Sequence, residues 1–279
     1  MATVERPRRP SSGKSKLSPG RQRAFRVPAS AQAWISVALA LGLWELLTRT
    51  EVISSRNVPP MSNTVAKLFD IIGTSDLWTS IGNTMEGWAL GLGIASAAAI
   101  PIGILVGSSR LAYRGLRPII EFLRPIPSVA LIPLAVLVYG TGLESKVFLA
   151  TFASFWPLLI QVLYGVQDVD PVAIDTARAY GLNRFQILWR VKLPSAIPYI
   201  ATGIRISSAV ALILSVTAEL VIGSPGLGRS INLAREGTAF ELMYALIIVT
   251  GVLGWILNIL ATTAERRVLH WHPSQRRAT

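Results

Sequence analysis

Apolar residues in this chain gather into long runs instead of alternating with polar ones, and a single bilayer crossing takes about 20 mostly apolar residues. Six runs have roughly that character, at about 31–47, 84–106, 118–140, 146–166, 196–222 and 242–263. The pattern predicts an all-α polytopic membrane bundle of six transmembrane helices. Between the first two runs, Val65, Leu68, Phe69 and Ile72 recur at i, i+3, i+4 and i+7 behind a Pro59-Pro60 break, with Ser62 placed to cap. That spacing predicts a short amphipathic helix at the membrane surface.

Two runs carry further signals. In the second, Gly87/Gly91 and Gly103/Gly107 stand four apart. Small residues at that spacing let helix backbones touch in lipid, which we read as packing within the bundle rather than as a dimer motif. The third holds Pro118, Pro125, Pro127 and Pro133. Each removes a backbone donor and bends the helix, and broken helices persist at membrane depth where protein or a water-filled cavity covers the freed groups. Pro127 and Pro133 are therefore candidates for lining a pathway, a kinked structural helix being the alternative.

Composition agrees: 51% of the 279 residues are hydrophobic and 15% charged, against about 25% charged in soluble domains. There is no Cys, so disulfide and thiolate chemistry are excluded. His270 and His272 stand together in a basic tail without the further ligands a metal site needs. Gly13-Lys14-Ser15 ends like a nucleotide-binding loop, but the required glycine five positions before Gly13 is Arg8.

The net charge of +12 raises the question of nucleic acid. Its distribution answers it. With the N-terminus inside, twenty of the 27 Lys and Arg lie in segments 1–27, 108–124, 167–195 and 264–279, and six in 48–83, 139–146 and 223–241. Arg205 lies inside the fifth run. This bias orients the bundle with both termini in the cytoplasm and makes the charge a topology signal, with no nucleic-acid partner. Residues 1–27 read as a disordered basic tail, 28–270 as the transmembrane domain and 271–279 as a second cytoplasmic tail. The basic stretch before the first run has the look of a signal peptide, but its length and the length of the run predict an uncleaved first helix.

Between the fourth and fifth runs the chain turns polar. Asp170-Pro171 begins a helix over about 172–180, and Gly181 ends it. Asn183 with Gln186 has the form of a capping box for a second helix through Val191, which Pro194 ends. Phe185, Leu188 and Trp189 make an apolar stripe on that second helix. The stripe buries against the chain's own helices or the lipid interface, or docks in a groove of a soluble partner.

At these residues a family becomes recognisable. Asp175-Thr176-Ala177, Gly181, Val191, Leu193 and Pro194 resemble the Glu-Ala-Ala…Gly…Ile-x-Leu-Pro loop of ABC-importer permeases, with Asp for Glu and Thr for Ala. Arg124-Pro125-Ile126-Pro127…Ile132-Pro133, Gly140-Thr141-Gly142, Glu219 and Gly226-Leu227-Gly228 are similar to the nitrate/sulfonate/taurine/bicarbonate branch, and the likeness extends over about 58–270. The resemblance implies the type I importer permease fold in a cell membrane. It makes 170–194 a coupling hairpin, with Asp175, Thr176, Ala177, Gly181, Phe185, Leu188, Trp189, Leu193 and Pro194 as its residues. It implies two copies of a separate ATPase subunit carrying the ATP and Mg, an extracytoplasmic solute-binding protein, a second permease copy (as a homodimer), and a small anionic cargo such as a sulfonate, taurine or nitrate. The chain would bind no cofactor and catalyse nothing itself.

Charges inside the runs are the remaining candidates. Arg205 and Glu219 are fourteen residues apart, about 21 Å along a helix, so they cannot pair with each other. A charge at bilayer depth faces protein or water, and Arg205 can also snorkel to the interface. With Ser208 and Ser215, these two residues make the fifth run a candidate pathway lining; helix–helix contact is the alternative. Two rival functions remain open on the residues: an ion-gradient carrier, in which inverted repeats are expected, and a non-transporting scaffold that recruits a cytosolic protein.

Overall fold

The computed structural model describes residues 29–269. The tails at 1–27 and 271–279, the Gly13-Lys14-Ser15 triplet and the His270/His272 pair lie outside the described residues. The chain divides into two units at Leu43/Trp44. The described part of the first is the beginning of helix α1 (Ala29–Arg49), with Ile35, Val37, Leu39, Leu41 and Leu43 all exposed.

Among the described residues every element is helical, as lipid requires of a chain that must satisfy its own backbone. The second unit continues with α2 (Met61–Ile72), α3 (Ser75–Ser108), α4 (Arg110–Leu123), a 3-10 turn (Ser128–Leu131), α5 (Ile132–Tyr139) and α6 (Leu143–Gln167). After these come α7 (Pro171–Ala179), α8 (Arg184–Ile187), a π turn (Leu188–Lys192), α9 (Leu193–Ile222), α10 (Leu227–Glu236) and α11 (Phe240–Val268). Among the described residues four helical stretches are long and apolar enough to cross a membrane: Ser75–Ser108, Leu143–Gln167, the stretch containing α9, and Phe240–Val268. A fifth is counted if Arg110–Leu123 and Ser128–Tyr139, bent by 80° to each other, form one broken span.

The bend corrects the expected third span. Residues 118–123 belong to the separate helix α4, which contains Pro118, has no buried residue and turns by 80° into the segment that follows. Ser109 caps α4, its hydroxyl accepting from the Ala112 N–H at 3.3 Å. In α2, likewise, the packed face is Thr64, Leu68 and Ile71, while Phe69 and Ile72 are exposed. Ser62 is not its cap. The Ser62 N–H and hydroxyl both donate to the Glu45 carboxylate, at 3.0 and 2.9 Å, so an acidic side chain from α1 serves the start of the helix.

The core is built on α3, α6 and α9. Ala99 and Val106 of α3, Leu158, Leu159, Val162, Leu163 and Val166 of α6 and Ala196 of α9 are buried together. The glycines of α3 face α6 in the same chain: a Cβ at Gly91 would strike Ala150, and one at Gly103 would strike Val162. They serve packing within the bundle, as expected.

At the end of α9 farthest from α8, this core holds a buried ion pair. Lys146 Nζ lies 3.0 Å from Glu219 Oε1, with the two side chains 2% and 0% exposed. The remaining Lys146 protons go to the Asn83 and Pro225 carbonyls, at 2.7 and 3.0 Å, so all three ammonium donors are met. Glu219 Oε2 accepts from the Thr84 hydroxyl and the Gly228 N–H, each at 2.9 Å. The Gly226-Leu227-Gly228 motif follows from this. A Cβ at Gly226 would fall on the Glu219 carboxylate, one at Gly228 would meet the Val216 carbonyl, and Gly226 has φ +150°.

Removing one member of such a pair strands a buried charge, at a cost of about 3–5 kcal/mol, whereas replacing both avoids that. Lys146→Met is therefore expected to lower the melting temperature of the detergent-solubilised protein more than Lys146→Met with Glu219→Gln does. A double variant that loses at least as much as the single one would show that the pair is not the stabilising unit.

Candidate functional site

The polar segment after α6 folds as a hairpin closed by three local devices. The Asp170 carboxylate accepts the Val172 N–H at 2.8 Å, and Pro171 takes the first turn of α7, where it displaces no hydrogen bond. At the other end Gly181 has φ +80°; its N–H reaches the Arg178 carbonyl at 2.9 Å and the Leu182 N–H reaches Ala177 at 3.1 Å. That is the paired closure of a Schellman motif. The third device is the predicted capping box. The Asn183 side chain accepts from the Gln186 N–H at 2.8 Å, and the Gln186 side chain accepts from the Asn183 N–H at 2.9 Å.

One expectation fails here. Pro194 does not end the second helix. The chain winds from α8 through the π turn directly into α9, with Pro194 in the first turn of α9. The wider π turn relaxes the hydrogen-bond ladder where the proline has no N–H to give. The hairpin is thus continuous with a long membrane helix.

At the root, α6 and α9 touch closely, a Cβ at Gly165 being impossible against Tyr199 and Ala196. The Tyr199 hydroxyl donates to the Asp168 carboxylate. Tyr164, Gln167, Asp168 and Tyr199 line an open cleft of about 400 Å³ beside it.

The coupling candidates separate into two sets. Ala177 is buried, as is their neighbour Ile187, and Leu188 and Leu193 are half-buried, where α7, α8 and the π turn pack on one another. Asp175, Thr176, Gly181 and Pro194 are exposed, Asp175 pairing with Arg178 at 2.9 Å. Phe185 and Trp189 are 69% and 56% exposed, their ring centroids 6.0 Å apart. Lys192 is half-buried; its burial, and then the nearby Arg178 and Arg110, lower the pKa of its ammonium.

The pathway candidates are dispersed. Pro127, in the break before the 3-10 turn, and Pro133, in the first turn of α5, are exposed. Arg205 pairs with Glu265 of α11 at 3.0 Å, and Glu265 also accepts from Thr202. Ser208, Ser215 and Glu219 are buried within the chain, and the Ser208 carbonyl accepts from the Trp88 indole at 3.0 Å. Sequence reasoning missed Lys146, Thr84 and Glu265 as partners of these charges. A lysine in the first turn of one apolar run and a glutamate just past the end of another were the available signal.

No group of three or more metal-ligating side chains occurs among the described residues. The feature that the arrangement presents is an exposed aromatic pair on a rigid hairpin whose two ends are membrane helices.

Comparison with known proteins agrees. The model of the binding-protein-dependent transport system inner membrane component matches residues 99–270. The chain is 34% identical over 260 residues to the taurine transport system permease protein TauC of Escherichia coli (strain K12), covering 90% of this chain and 94% of the relative. It is 30% identical over 241 residues to the nitrate import permease protein NrtB of Leptolyngbya laminosa, covering 84% and 86%. A crystal structure of a bacterial ABC transporter involved in the import of the acidic polysaccharide alginate contains a chain of similar fold, with a TM-score of 0.57 over 85% of this chain and 99% of that one, at 16% identity. The hairpin, the helical bundle and these matches together assign the chain to the family of binding-protein-dependent inner membrane components, the non-catalytic permease subunits of ABC importers.

Proposed function

We propose that this permease carries a small anion (taurine, another sulfonate or nitrate) and is driven through the 170–194 hairpin by a separate ATPase. The cargo reading rests on the names of the relatives at about one-third identity. The coupling reading rests on one observation: Phe185 and Trp189 project from a capped hairpin that is rooted in both α6 and α9. Exposed aromatic side chains on a rigid support are the usual anchors of a protein interface.

In this reading the transmembrane domain is 28–270 with six crossings. α1 is the first, and the Ser128–Tyr139 half of the bent α4–α5 segment supplies the third, with α4 lying at its cytoplasmic end. Both termini are cytoplasmic, with 1–27 and 271–279 as tails. Two copies of the chain and two ATPase subunits make the working assembly, and a solute-binding protein delivers cargo on the outer side. Asp175, Thr176 and Pro194 border the docking surface, Phe185 and Trp189 fill the ATPase groove, and Ala177, Leu188 and Leu193 seat the hairpin on its own bundle. Gly181 sets the bend. Pro127, Pro133 and Arg205 stand nearest to open surface among the pathway candidates, while Ser208, Ser215 and Glu219 act on the pathway through the packing of α9.

Two substitutions test this. At φ +80° a β-branched side chain costs roughly 1–2 kcal/mol of backbone strain, enough to shift the hairpin without unfolding six helices. Gly181→Val is expected to insert normally but to abolish ATP-dependent uptake of radiolabelled taurine or nitrate in proteoliposomes containing the ATPase and binding protein; full uptake would contradict the lever. Trp189→Asp is expected to weaken capture of the ATPase on co-purification by about thirtyfold, the loss typical of an interface anchor. Unchanged recovery would remove the docking role.

A further inference from the structure

We propose that Arg110, Arg114 and Lys192 form a headgroup site for an anionic phospholipid, with α4 lying in the membrane surface above the acyl chains. The proposal rests on the topology just given, and begins from the faces of α4. Tyr113 and Ile120 pack against the α3–α6–α9 core and seat the helix. Arg110, Arg114 and Arg117 follow one another at helical spacing along a second face, where Arg117 is paired with Glu121 at 2.7 Å. The third face is apolar and open: Leu111 is 84% and Phe122 73% exposed, with Leu116 and Ile119 beside them.

The 80° angle between α4 and the following 3-10/α5 segment fixes how these faces meet the bilayer. If Ser128–Tyr139 runs along the membrane normal, α4 lies nearly in the plane. Its open apolar face then turns toward acyl chains and its arginines lie at headgroup depth, the arrangement of an interfacial helix.

Charge then selects the headgroup. Half-buried Lys192 of the hairpin lies within electrostatic range of Arg110 of α4 and Arg178 of α7, so α4 and the hairpin contribute cations to one region. Arg178 is neutralised by Asp175. Among the described residues, Arg110, Arg114 and Lys192 have no carboxylate partner. The exposed Arg110 and Arg114 of α4 and the half-buried Lys192 of the hairpin therefore add positive charge that no carboxylate among the described residues pairs with, and a phosphate diester at the bilayer surface supplies the counter-anion. Basic pockets beside membrane helices take acidic headgroups for this reason.

The experiment uses the full chain in nanodiscs of equal phosphatidylglycerol and phosphatidylcholine, with retained lipid counted by native mass spectrometry. The wild type is expected to retain phosphatidylglycerol preferentially. Arg110→Gln, Arg114→Gln and Lys192→Gln together should reduce that preference by about fivefold per cation removed. Arg110→Lys with Arg114→Lys, which keeps the charge, should preserve most of it and controls for folding. The assignment is overturned if the wild type shows no preference or if the triple variant keeps it. It is overturned equally if excess inorganic phosphate strips the bound lipid, which would mark a soluble-phosphate site, or if the triple variant keeps its lipid and loses only ATPase capture, which would mark a protein-docking face. Ser108→Cys, in a chain without Cys, separates the topology from the lipid site. Labelling by an impermeant maleimide from outside the cell would refute the orientation and the inference with it; protection together with absent lipid preference would refute the inference alone.

Discussion

The contact between α6 and α9 runs from the root of the hairpin to the far end of the bundle, and the rest of the molecule is arranged around it. Gly165 against Ala196 and Tyr199 brings the helices together at one end. Gly203 against Leu158 and Gln161, and the Ser207 hydroxyl on the Ser154 carbonyl at 2.7 Å, continue the seam. Lys146 and Glu219 close it at the other end. Helices in lipid gain nothing from hydrophobic exclusion, so their association depends on close packing and on hydrogen bonds between them. This seam has both along its length. From the root of the hairpin to the far end, the two helices are therefore packed as one body.

The interior charges follow the same economy of placement. Arg205 is matched by Glu265 and Lys146 by Glu219, so α9 is tied to α11 near one end and to α6 near the other. A buried pair is weak evidence for stability in itself, since desolvation opposes the attraction. Its contribution here is register. With Thr84, Gly228 and two carbonyls all directed at one ion pair, a slip of one turn along α9 would leave several buried polar groups without partners.

How much was legible in the sequence depended on how local the cause was. The hairpin was readable because each of its devices, Asp170-Pro171, Gly181 and Asn183…Gln186, acts within five residues of itself. The helical bundle was readable because apolar run length reports the solvent directly. The Lys146–Glu219 pair was not, because its members are 73 residues apart and neither run, taken singly, contains the partner of its own charge. The failure at Pro194 has a different origin: a proline reads as a stop, yet a widened turn before it lets the helix continue. Residues 118–123 read as part of the third span because that half of α4 is largely apolar, and only the bend reveals that it belongs to a separate helix with the arginines before it.

The π turn at Leu188–Lys192 sets an angular phase. Such a turn accommodates one residue more than an α-turn, and each residue of an α-helix advances the side chains by about 100°. Excising a single residue from this stretch would restore a regular helix and swing Phe185 through that angle relative to α9, leaving the caps and the membrane rods unaltered. Evolution could thus re-aim the aromatic pair relative to the membrane helices by one codon's deletion, without redesigning either surface.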